Sequence, residues 1–314
     1  MTPREIRSNY GNRQARDKGY AIVKIDLTAI AMGVAFSLMW SSAFATARII
    51  VAHAPPLMAL SVRFAISGLI AVLVARALGQ SWRLTRPVAV SVVVFGLCQN
   101  AVYLGLNFVA MKEIEASLAS IIASSMPLIV AVLGWAFRGE KVSPMGLAGL
   151  AAGFVGVSLI MGGRVSGGAD PVGIGLCLIG ATALALATLT LKSVSSGGNL
   201  LMVVGLQMLV GSASLGIVSG MTETYFLDTS LSLALAFTYQ LFIPGLTATL
   251  LWFTLVARIG AVKASTFHFL NPFFGVTIAA LLLGEQIGWL DMAGVAIAAA
   301  GILAVQMSRM RTAL

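Results

Sequence analysis

The sequence predicts an all-α integral membrane protein with ten transmembrane helices, arranged as two inverted five-helix repeats. Three observations predict this fold: an apolar composition, a series of apolar runs long enough to cross a bilayer, and a similarity between the two halves of the chain. Hydrophobic residues make up 59% and charged residues 10% of the 314 residues, whereas soluble domains have about 45–50% and about 25%. Because so few charges cannot cover a surface in water, we expect lipid to surround most of the chain.

The apolar runs have the length of membrane helices. About 20 apolar residues cross about 30 Å of hydrocarbon, and signals such as His53-Ala-Pro-Pro56 separate consecutive runs. A polar segment, residues 1–26, is expected to remain as a cytoplasmic N-terminal tail, and residues 309–314 to form a cytoplasmic C-terminus. The predicted spans are 27–51, 56–78, 88–108, 115–137, 142–162, 172–192, 199–219, 231–256, 261–283 and 287–308.

The basic residues predict the orientation of the chain. With a cytoplasmic N-terminus, 16 of the 20 Lys and Arg residues fall inside, Lys112 and Arg164 fall outside, and Arg48 and Arg63 lie within helices. This bias predicts a multi-pass protein of the cell inner membrane, with the lipid bilayer as its partner and both termini cytoplasmic. The net charge of +9 therefore reflects topology, and no basic face with interleaved aromatic residues indicates nucleic-acid binding.

The two halves of the chain share a pattern at a fixed spacing of 145 residues. Proline, glycine and glutamate recur together at this spacing, which indicates a duplicated unit of five helices. An odd number of spans inverts the second unit, as in many secondary transporters whose substrate binds near the midplane. We expect units at 27–163 and 172–308, with the two repeated glutamates acting as caps. The pairs are Pro127/Pro272, Gly139/Gly284, Glu140/Glu285, Gly149/Gly294 and Gly156/Gly301.

Several motifs resemble the EamA-type family of the drug/metabolite transporter superfamily. They are the Trp40-Ser41-Ser42-Ala43-Phe44 run, Pro56 with Arg63, and the duplicated Pro127…Gly139-Glu140…Gly149…Gly156 pattern. The resemblance covers about residues 30–307 as two EamA units, and it implies a ten-helix carrier that exports amino acids or other metabolites. Within the family, the run from Trp40 to Arg48 is similar to the YddG-type exporters of aromatic amino acids, which implies an aromatic substrate.

Ionisable residues are scarce inside the predicted spans, and this narrows the substrate class. No Asp or Glu falls near the centre of a span, which disfavours organic cations. Arg48 and Arg63 are both nearer the outer face, which disfavours phosphate esters. Cys98 and Cys177 lie in apolar runs and are expected to be small buried hydrophobes, without a disulfide. We expect a small-molecule substrate, no cofactor and no metal.

Neutral hydrogen-bonding and aromatic side chains at middle depth form the predicted substrate site. Amide and hydroxyl groups suit the polar head of a zwitterion or neutral amphiphile, and rings suit its side chain. Each of these residues has the alternative role of holding neighbouring helices together. The candidates are Trp40, Ser41 and Ser42 in span one, Gln99, Asn100, Tyr103 and Asn107 on one stripe of span three, Gln207 in span seven, Tyr239 and Gln240 in span eight, and Ser265, His268 and Asn271 in span nine.

Four further features have two interpretations each. Pro127 and Pro272 either kink their helices or free carbonyls that act in gating and binding. His268 either carries a coupling proton or bonds a neighbouring helix. Arg63 either tethers neighbouring segments or binds a substrate carboxylate. The glycines of spans five and ten pack helices either inside one bundle or between two.

These features together favour an exporter that works by alternating access, driven by a proton gradient or by the gradient of its substrate. Export of other neutral metabolites or drugs is the alternative. A permease subunit of an ATP-driven pump would carry a larger cytoplasmic loop than the predicted inner loops of about 5–10 residues. An enzyme would need a nucleophile–base or metal set, and neither His-Glu-x-x-His nor Gly-x-Ser-x-Gly occurs in the sequence.

Overall fold

The computed structural model describes residues 26–139, 142–190, 198–260, 264 and 266–312, and these residues form helices and short connections without a strand. The predicted tail before residue 26, Glu140 with its predicted capping role, and the candidate Ser265 lie outside these ranges. Nine of the described helices are long and apolar enough to cross a bilayer, and a tenth is apolar over Pro171–Leu186. The prediction of an all-helical membrane protein is confirmed.

The ten helices are numbered here in chain order. They are α1 (Leu27–His53), α2 (Pro56–Ala77), α3 (Arg86–Ala110), α4 (Ala116–Phe137), α5 (Pro144–Ser166), α6 (Pro171–Thr190), α7 (Leu200–Thr222), α8 (Leu231–Ile259), α9 (Thr266–Leu283) and α10 (Trp289–Thr312).

Helix ends coincide with residues that cap them. At the start of α1 the Asp26 carboxylate accepts a hydrogen bond from the Ala29 N–H at 3.1 Å, which satisfies a backbone donor that has no partner inside the helix. At the ends of α4 and α9, Gly139 and Gly284 take the left-handed conformation with φ of 62° and 69°. Other residues strain in this conformation, so glycine at both positions fits these two helix ends.

Glycines bring α5 and α10 into close contact. A Cβ on Gly156 would lie 2.5 Å from a backbone nitrogen of α10, and a Cβ on Gly301 would lie 2.4 Å from the backbone nitrogen of Gly153. The helices α2 and α7 approach in the same way, since a Cβ on Gly68 would lie 2.9 Å from the Gly205 carbonyl oxygen. The glycines of α5 and α10 therefore pack helices inside one bundle, which is one of the two roles predicted for them.

Helices of the two halves of the chain interleave. In addition to α5 with α10 and α2 with α7, α4 packs against α9, and α1 packs against α8 and α9. A serine pair joins α2 to α7: Ser61 Oγ and Ser212 Oγ each donate to the backbone carbonyl of the other residue at 2.8 Å. The middle of this bundle is therefore bounded by helices from both halves.

Four helices contain irregular segments. Residues Gly96–Tyr103 of α3 and Leu241–Thr247 of α8 are π-helical, and they begin 145 residues apart. Pro127 follows a break in α4 at Ser125, and Pro272 follows the 3₁₀ turn Thr266–Leu270 of α9. Pro244 lies inside the π segment of α8, where its missing N–H leaves the carbonyl of Gln240 without its α-helical donor.

Alternate connections lie on opposite faces of the bundle. The start of α1 and the end of α8 meet on one face, which we call the terminal face. The end of α1, the start of α4 and the connection from α9 to α10 lie on the other face, which we call the distal face. Trp40 is the middle residue of the 27-residue α1, so residues near Trp40 are about halfway between the two faces.

Candidate substrate site

A cavity lies beside the middle of α1, between helices of both halves. The space inside it that can hold a water-sized sphere is about 40 Å³, well below the about 300–1,000 Å³ of small-molecule sites, so the cavity is narrow in this conformation. Aromatic rings and apolar side chains dominate its wall, and Arg63 is the one charged residue among the lining residues that the structure describes. The lining residues are Trp40, Ala43, Phe44, Ala47, Arg63, Tyr103, Leu104, Asn107, Phe108, Met111, Gln240 and Pro244.

Two amides of the cavity are held in fixed orientations. Asn107 Nδ2 donates to the Tyr103 carbonyl at 2.7 Å, and Gln240 Nε2 donates to the Ala43 carbonyl at 2.6 Å. A backbone carbonyl only accepts hydrogen bonds, so the amide nitrogen and not the oxygen must face it. The amide oxygens Asn107 Oδ1 and Gln240 Oε1 are buried and have no hydrogen-bond partner among the described residues.

Arg63 enters the cavity from α2. The residue is 5% exposed, its Nε has no hydrogen-bond partner within the described ranges, and its guanidinium carbon lies 5.0 Å from the centroid of the Phe64 ring. Gly245 of α8 lies next to the head group, since a Cβ there would be in van der Waals contact with Arg63 Nη2 at 3.6 Å. A buried cation without an anionic partner is unfavourable, so its environment favours an anion.

A wide, open depression lies on the distal face next to the cavity. Its wall includes Arg48 and Lys112, the chain neighbours of the cavity residues Ala47 and Met111. Arg48 Nη1 also donates to the Met111 carbonyl. The depression therefore lies on the distal side of the cavity along α1 and carries charged side chains of both signs, since Glu115 and Glu285 line it as well.

Rings fill the space between the cavity and the terminal face. The centroid of the Phe36 ring lies 5.7 Å from that of Trp40, 4.7 Å from that of Trp252 and 5.5 Å from that of His268. One turn nearer the terminal face, Phe267 packs on Gly33 so closely that a Cβ would lie 2.4 Å from its ring. We call these residues the terminal aromatic cluster, and they close the cavity toward the terminal face.

An ion pair lies at the terminal end of this path. Arg258 Nε and Nη2 donate to the two carboxylate oxygens of Asp26 at 2.7 and 3.1 Å. The Arg258 hydrogen bond, together with the Ala29 N–H, lowers the pKa of Asp26 below its usual value. The pair therefore stays charged through the neutral range and joins α1 to α8 there.

Carboxylates on the distal face cap helices of other segments. Glu285, after α9, accepts hydrogen bonds from the Ala116 and Ser117 N–H groups at 2.8 and 3.0 Å. Glu223, after α7, accepts them from Leu57 and Met58 at the start of α2. An anion is favourable at a helix N-terminus. The prediction that Glu285 acts as a cap is consistent with this geometry, although the helix it caps is α4.

A second charged cluster on the distal face has Arg164 at its centre. Arg164 pairs with Glu115 and with Asp291. Burial raises the pKa of the Glu115 carboxyl, and this effect outweighs the opposing influence of the Arg164 charge.

Among the described residues, no three His, Cys, Asp or Glu side chains come together in a way that could hold a metal ion.

The structure brings only part of the predicted site residues to the cavity. Trp40, Tyr103 and Gln240 line it. Ser42 Oγ lies beside the cavity wall, 2.7 Å from the Tyr239 hydroxyl. Ser41 Oγ donates to the Asn271 carbonyl at 3.3 Å and so joins α1 to α9.

The remaining candidates lie elsewhere in the bundle. Asn100 Nδ2 donates to the Gln207 carbonyl at 2.9 Å, which joins α3 to α7. Gln99 is half-buried and does not line the cavity. His268 belongs to the terminal aromatic cluster, with its Nδ1 3.0 Å from Asn271 Nδ2. Pro127 and Pro272 each occupy the first turn of the helical segment that follows a break.

Several cavity residues were not singled out by sequence reasoning. Asn107 belongs to the predicted polar stripe, Arg63 has two predicted roles and Phe44 belongs to the Trp40–Phe44 motif, but Phe108 and Met111 are ordinary apolar residues of a membrane helix. No sequence signal separates an aromatic residue that faces a cavity from one that faces lipid. The proximity of Gly245 to Arg63 is likewise visible only in three dimensions.

Among the described residues, ten apolar helices surround a mid-bundle cavity that lies next to one face and is separated from the other face by packed rings. This arrangement is that of a polytopic membrane protein of the transporter class. The chain belongs to the EamA-like transporter family, which matches residues 27–162 and again residues 171–307. This result confirms the predicted EamA-type family, while the resemblance to the YddG-type exporters stays a prediction.

Two curated relatives support the same class. The chain is 29% identical over 263 residues to the uncharacterized transporter YvbV of Bacillus subtilis, covering 82% of this chain and 84% of the relative. It is 26% identical over 277 residues to an uncharacterized transporter of Archaeoglobus fulgidus, covering 86% and 95%. A protein of known crystal structure has the same fold, with a TM-score of 0.65 at 19% identity over 91% of this chain and 98% of that chain.

Proposed function

We propose that the chain exports amino acids with apolar or aromatic side chains, or similar small amphipathic metabolites, by alternating access. The observation that carries this proposal is the cavity beside Trp40, which combines aromatic walls with a few buried polar groups. Such a lining binds a ring by packing and fixes a polar head by hydrogen bonds. The absence of an acidic residue from the described cavity wall makes organic cations poor substrates.

The arrangement along α1 supports a carrier whose narrow cavity lies between an open depression and a cluster of packed rings. The open depression lies above the cavity at Arg48, and the terminal aromatic cluster closes it below Trp40. Alternating access requires that this cluster separates while the distal end closes. The breaks at Ser125 in α4 and at Thr266–Leu270 in α9 are places where these two helices can bend.

We infer that the two halves are inverted repeats, and that the movement occurs when the two repeats exchange their conformations. The support comes from features that recur 145 residues apart: the left-handed glycines at 139 and 284, the prolines after the breaks in α4 and α9, and the starts of both π segments. The pairing of α2 with α7 and of α5 with α10 is also what a pseudo-two-fold axis in the membrane plane would produce.

We infer that the terminal face lies in the cytoplasm of a cell inner membrane, and the bias of the basic residues supports this orientation. The open depression then lies on the outer side and the terminal aromatic cluster on the cytoplasmic side. Export would begin from a conformation in which the terminal aromatic cluster has opened and the substrate reaches Trp40 from the cytoplasm.

Transport by proteoliposomes tests the proposal. Uptake of labelled phenylalanine and tryptophan is compared with uptake of alanine, glutamate and choline, with and without a pH gradient. We expect saturable uptake of the aromatic amino acids, reduced at least tenfold in Trp40→Ala. Trp135→Ala is the matched control, because Trp135 is 59% exposed on the outside of the bundle, and it should transport normally. Equal transport of choline, or an unchanged Trp40→Ala variant, would contradict this assignment.

A further inference from the structure

Three unpaired polar atoms belong to residues that line the same cavity. Arg63 Nε is a donor, and Asn107 Oδ1 and Gln240 Oε1 are acceptors; all three are buried, and none has a hydrogen-bond partner among the described residues. Buried polar atoms are nearly always paired, so each exception needs an explanation. One cationic donor and two amide acceptors around one cavity form a set complementary to a ligand that carries both an anion and a cation.

The amide oxygens are not free to exchange places with their nitrogens. The Asn107 amide nitrogen is held by the Tyr103 carbonyl, and the Gln240 amide nitrogen by the Ala43 carbonyl and by Thr46 Oγ1 at 3.1 Å. Rotating either amide would place two acceptors against each other. The backbone carbonyls of α1 and α3 therefore fix the orientation of both amides, so that each amide oxygen remains a free acceptor.

Arg63 carries a positive charge into a place where the described chain supplies no carboxylate. The ion pairs among the described residues involve Arg164, Arg258 and His53, and none involves Arg63. Its ring contact with Phe64 only partly replaces lost hydration. A guanidinium binds a carboxylate in a forked, two-bond geometry, so a ligand carboxylate would compensate the buried charge.

We propose that this cavity is a head-group site for an α-amino acid zwitterion, with Arg63 binding the carboxylate and the amide oxygens of Asn107 and Gln240 binding the ammonium group. The side chain of the ligand then packs on Trp40, Phe44 and Phe108, which line the same cavity. The inference rests on the proposed transport function and deepens it by naming the groups that the site requires on its substrate.

This site requires both halves of the zwitterion. An amine without a carboxylate leaves Arg63 unpaired, and a carboxylate without an amine leaves the two amide oxygens unpaired. Because an unsatisfied buried group is costly, each analogue should bind about 10- to 100-fold more weakly than the amino acid. The three probes phenylalanine, phenethylamine and 3-phenylpropionate share one ring and differ only in these head groups.

Binding to the full-length purified protein in detergent micelles, measured calorimetrically, tests the assignment. Wild type should bind phenylalanine with the lowest Kd. Arg63→Gln should weaken phenylalanine and 3-phenylpropionate by at least tenfold, and it should strengthen phenethylamine because a like charge is removed. Asn107→Leu has a side chain of similar size without the acceptor oxygen, so it should weaken phenylalanine and phenethylamine at least tenfold and leave 3-phenylpropionate unchanged, even if the Arg63 variant fails to fold.

The outcomes separate the site from the transport function. If wild type binds or carries phenethylamine or 3-phenylpropionate as well as phenylalanine, the zwitterion site is overturned while the carrier stands. The same holds if Asn107→Leu changes the affinities of the three ligands by the same factor. If sealed proteoliposomes show no saturable flux of any of the three probes, and micelles show no binding, the transport proposal and the site fail together.

Discussion

Arg164 Nε and Nη2 donate to the two carboxylate oxygens of Asp291 at 3.1 and 3.0 Å, in a forked pair that joins the end of α5 to the start of α10. The side chain of Asp291 is 8% exposed, and its Oδ2 also accepts from the Gly288 N–H at 2.8 Å. This pair locks the distal end of the two helices whose glycines are in backbone contact.

Removing the charge of Asp291 should destabilise the protein. In Asp291→Asn, Arg164 loses one of its two carboxylate partners in a partly buried place, which costs about 2–3 kcal/mol. We expect a clearly lower Tm in detergent micelles, measured by the intrinsic fluorescence of the tryptophans. An unchanged Tm would mean that water replaces the pair at no cost.

Glu115→Gln should behave differently, although Glu115 pairs with the same arginine. Burial raises the pKa of Glu115. At pH values above that pKa the charged carboxylate therefore lowers the stability of the folded protein. At pH 7 the Glu115→Gln variant should therefore be as stable as wild type or slightly more stable. Any gain should shrink as the pH falls toward the usual glutamate pKa of about 4.3, because wild type takes up a proton on the way. A Tm series between pH 4.5 and 8 measures this difference.

The glycines between α5 and α10 offer a second stability test. In Gly301→Ala, the new methyl would lie 2.4 Å from the Gly153 nitrogen, so the helices must separate at a cost of about 1–3 kcal/mol. Gly162→Ala is the matched control on α5, because nothing lies within 4 Å of a Cβ there, and alanine favours the helix by up to about 1 kcal/mol. Thermal unfolding should show a lower Tm for the first variant only, and a similar fall in the second would exclude the contact as the cause.

The positions of the helices could be predicted from the sequence because the bilayer imposes a local constraint. Each span must be apolar over its own length and satisfy its own backbone hydrogen bonds, so hydropathy and turn signals suffice to place α1 through α10. The pairing of the helices could not be predicted in this way. The contact of Gly156 with α10 depends on the three-dimensional path of both segments, and the sequence alone allowed packing inside one bundle or between two.

The stripe of span three shows why the site was harder to predict. An ideal α-helix places Gln99, Asn100, Tyr103 and Asn107 on one face. The π segment Gly96–Tyr103 has more residues per turn and rotates the start of the stripe away from its end. Tyr103 and Asn107 consequently face the cavity, whereas Asn100 bonds α7.

His268 should act in transport through its ring and not through a proton. It packs edge-on against Phe36 and lies 5.1 Å from Trp252, measured between ring centroids. His268→Phe keeps a ring and removes the titratable group, so it should retain at least half of wild-type uptake and the same response to a pH gradient. His268→Ala removes the packing and should lose most uptake. Loss of a pH-driven component in His268→Phe alone would instead assign the coupling proton to this residue.

The ion pair of Asp26 with Arg258 should control access to the cavity from the terminal face. Because it joins α1 to α8 outside the terminal aromatic cluster, Asp26→Asn should favour conformations in which that face is open. A cysteine at Ser37 reports this opening, since Ser37 is buried and its Oγ donates to the Phe267 carbonyl at 2.9 Å. We expect a water-soluble maleimide to modify it several-fold faster in Asp26→Asn, in a background with Cys98 and Cys177 replaced.

The pH dependence of this labelling has a defined sign. Arg258 lowers the pKa of Asp26, so the contribution of the pair is present above the usual aspartate pKa of about 3.9 and is lost as the pH falls through the lower folded value. After correction for the reactivity of the thiol itself, wild-type labelling should be constant between about pH 5.5 and 8. Glu113→Gln, at an exposed position on the distal face, is the matched control and should label as slowly as wild type. Equal labelling rates in Asp26→Asn and Glu113→Gln would show that the rings of Phe36, Trp252 and Phe267 close the terminal face without help from the ion pair.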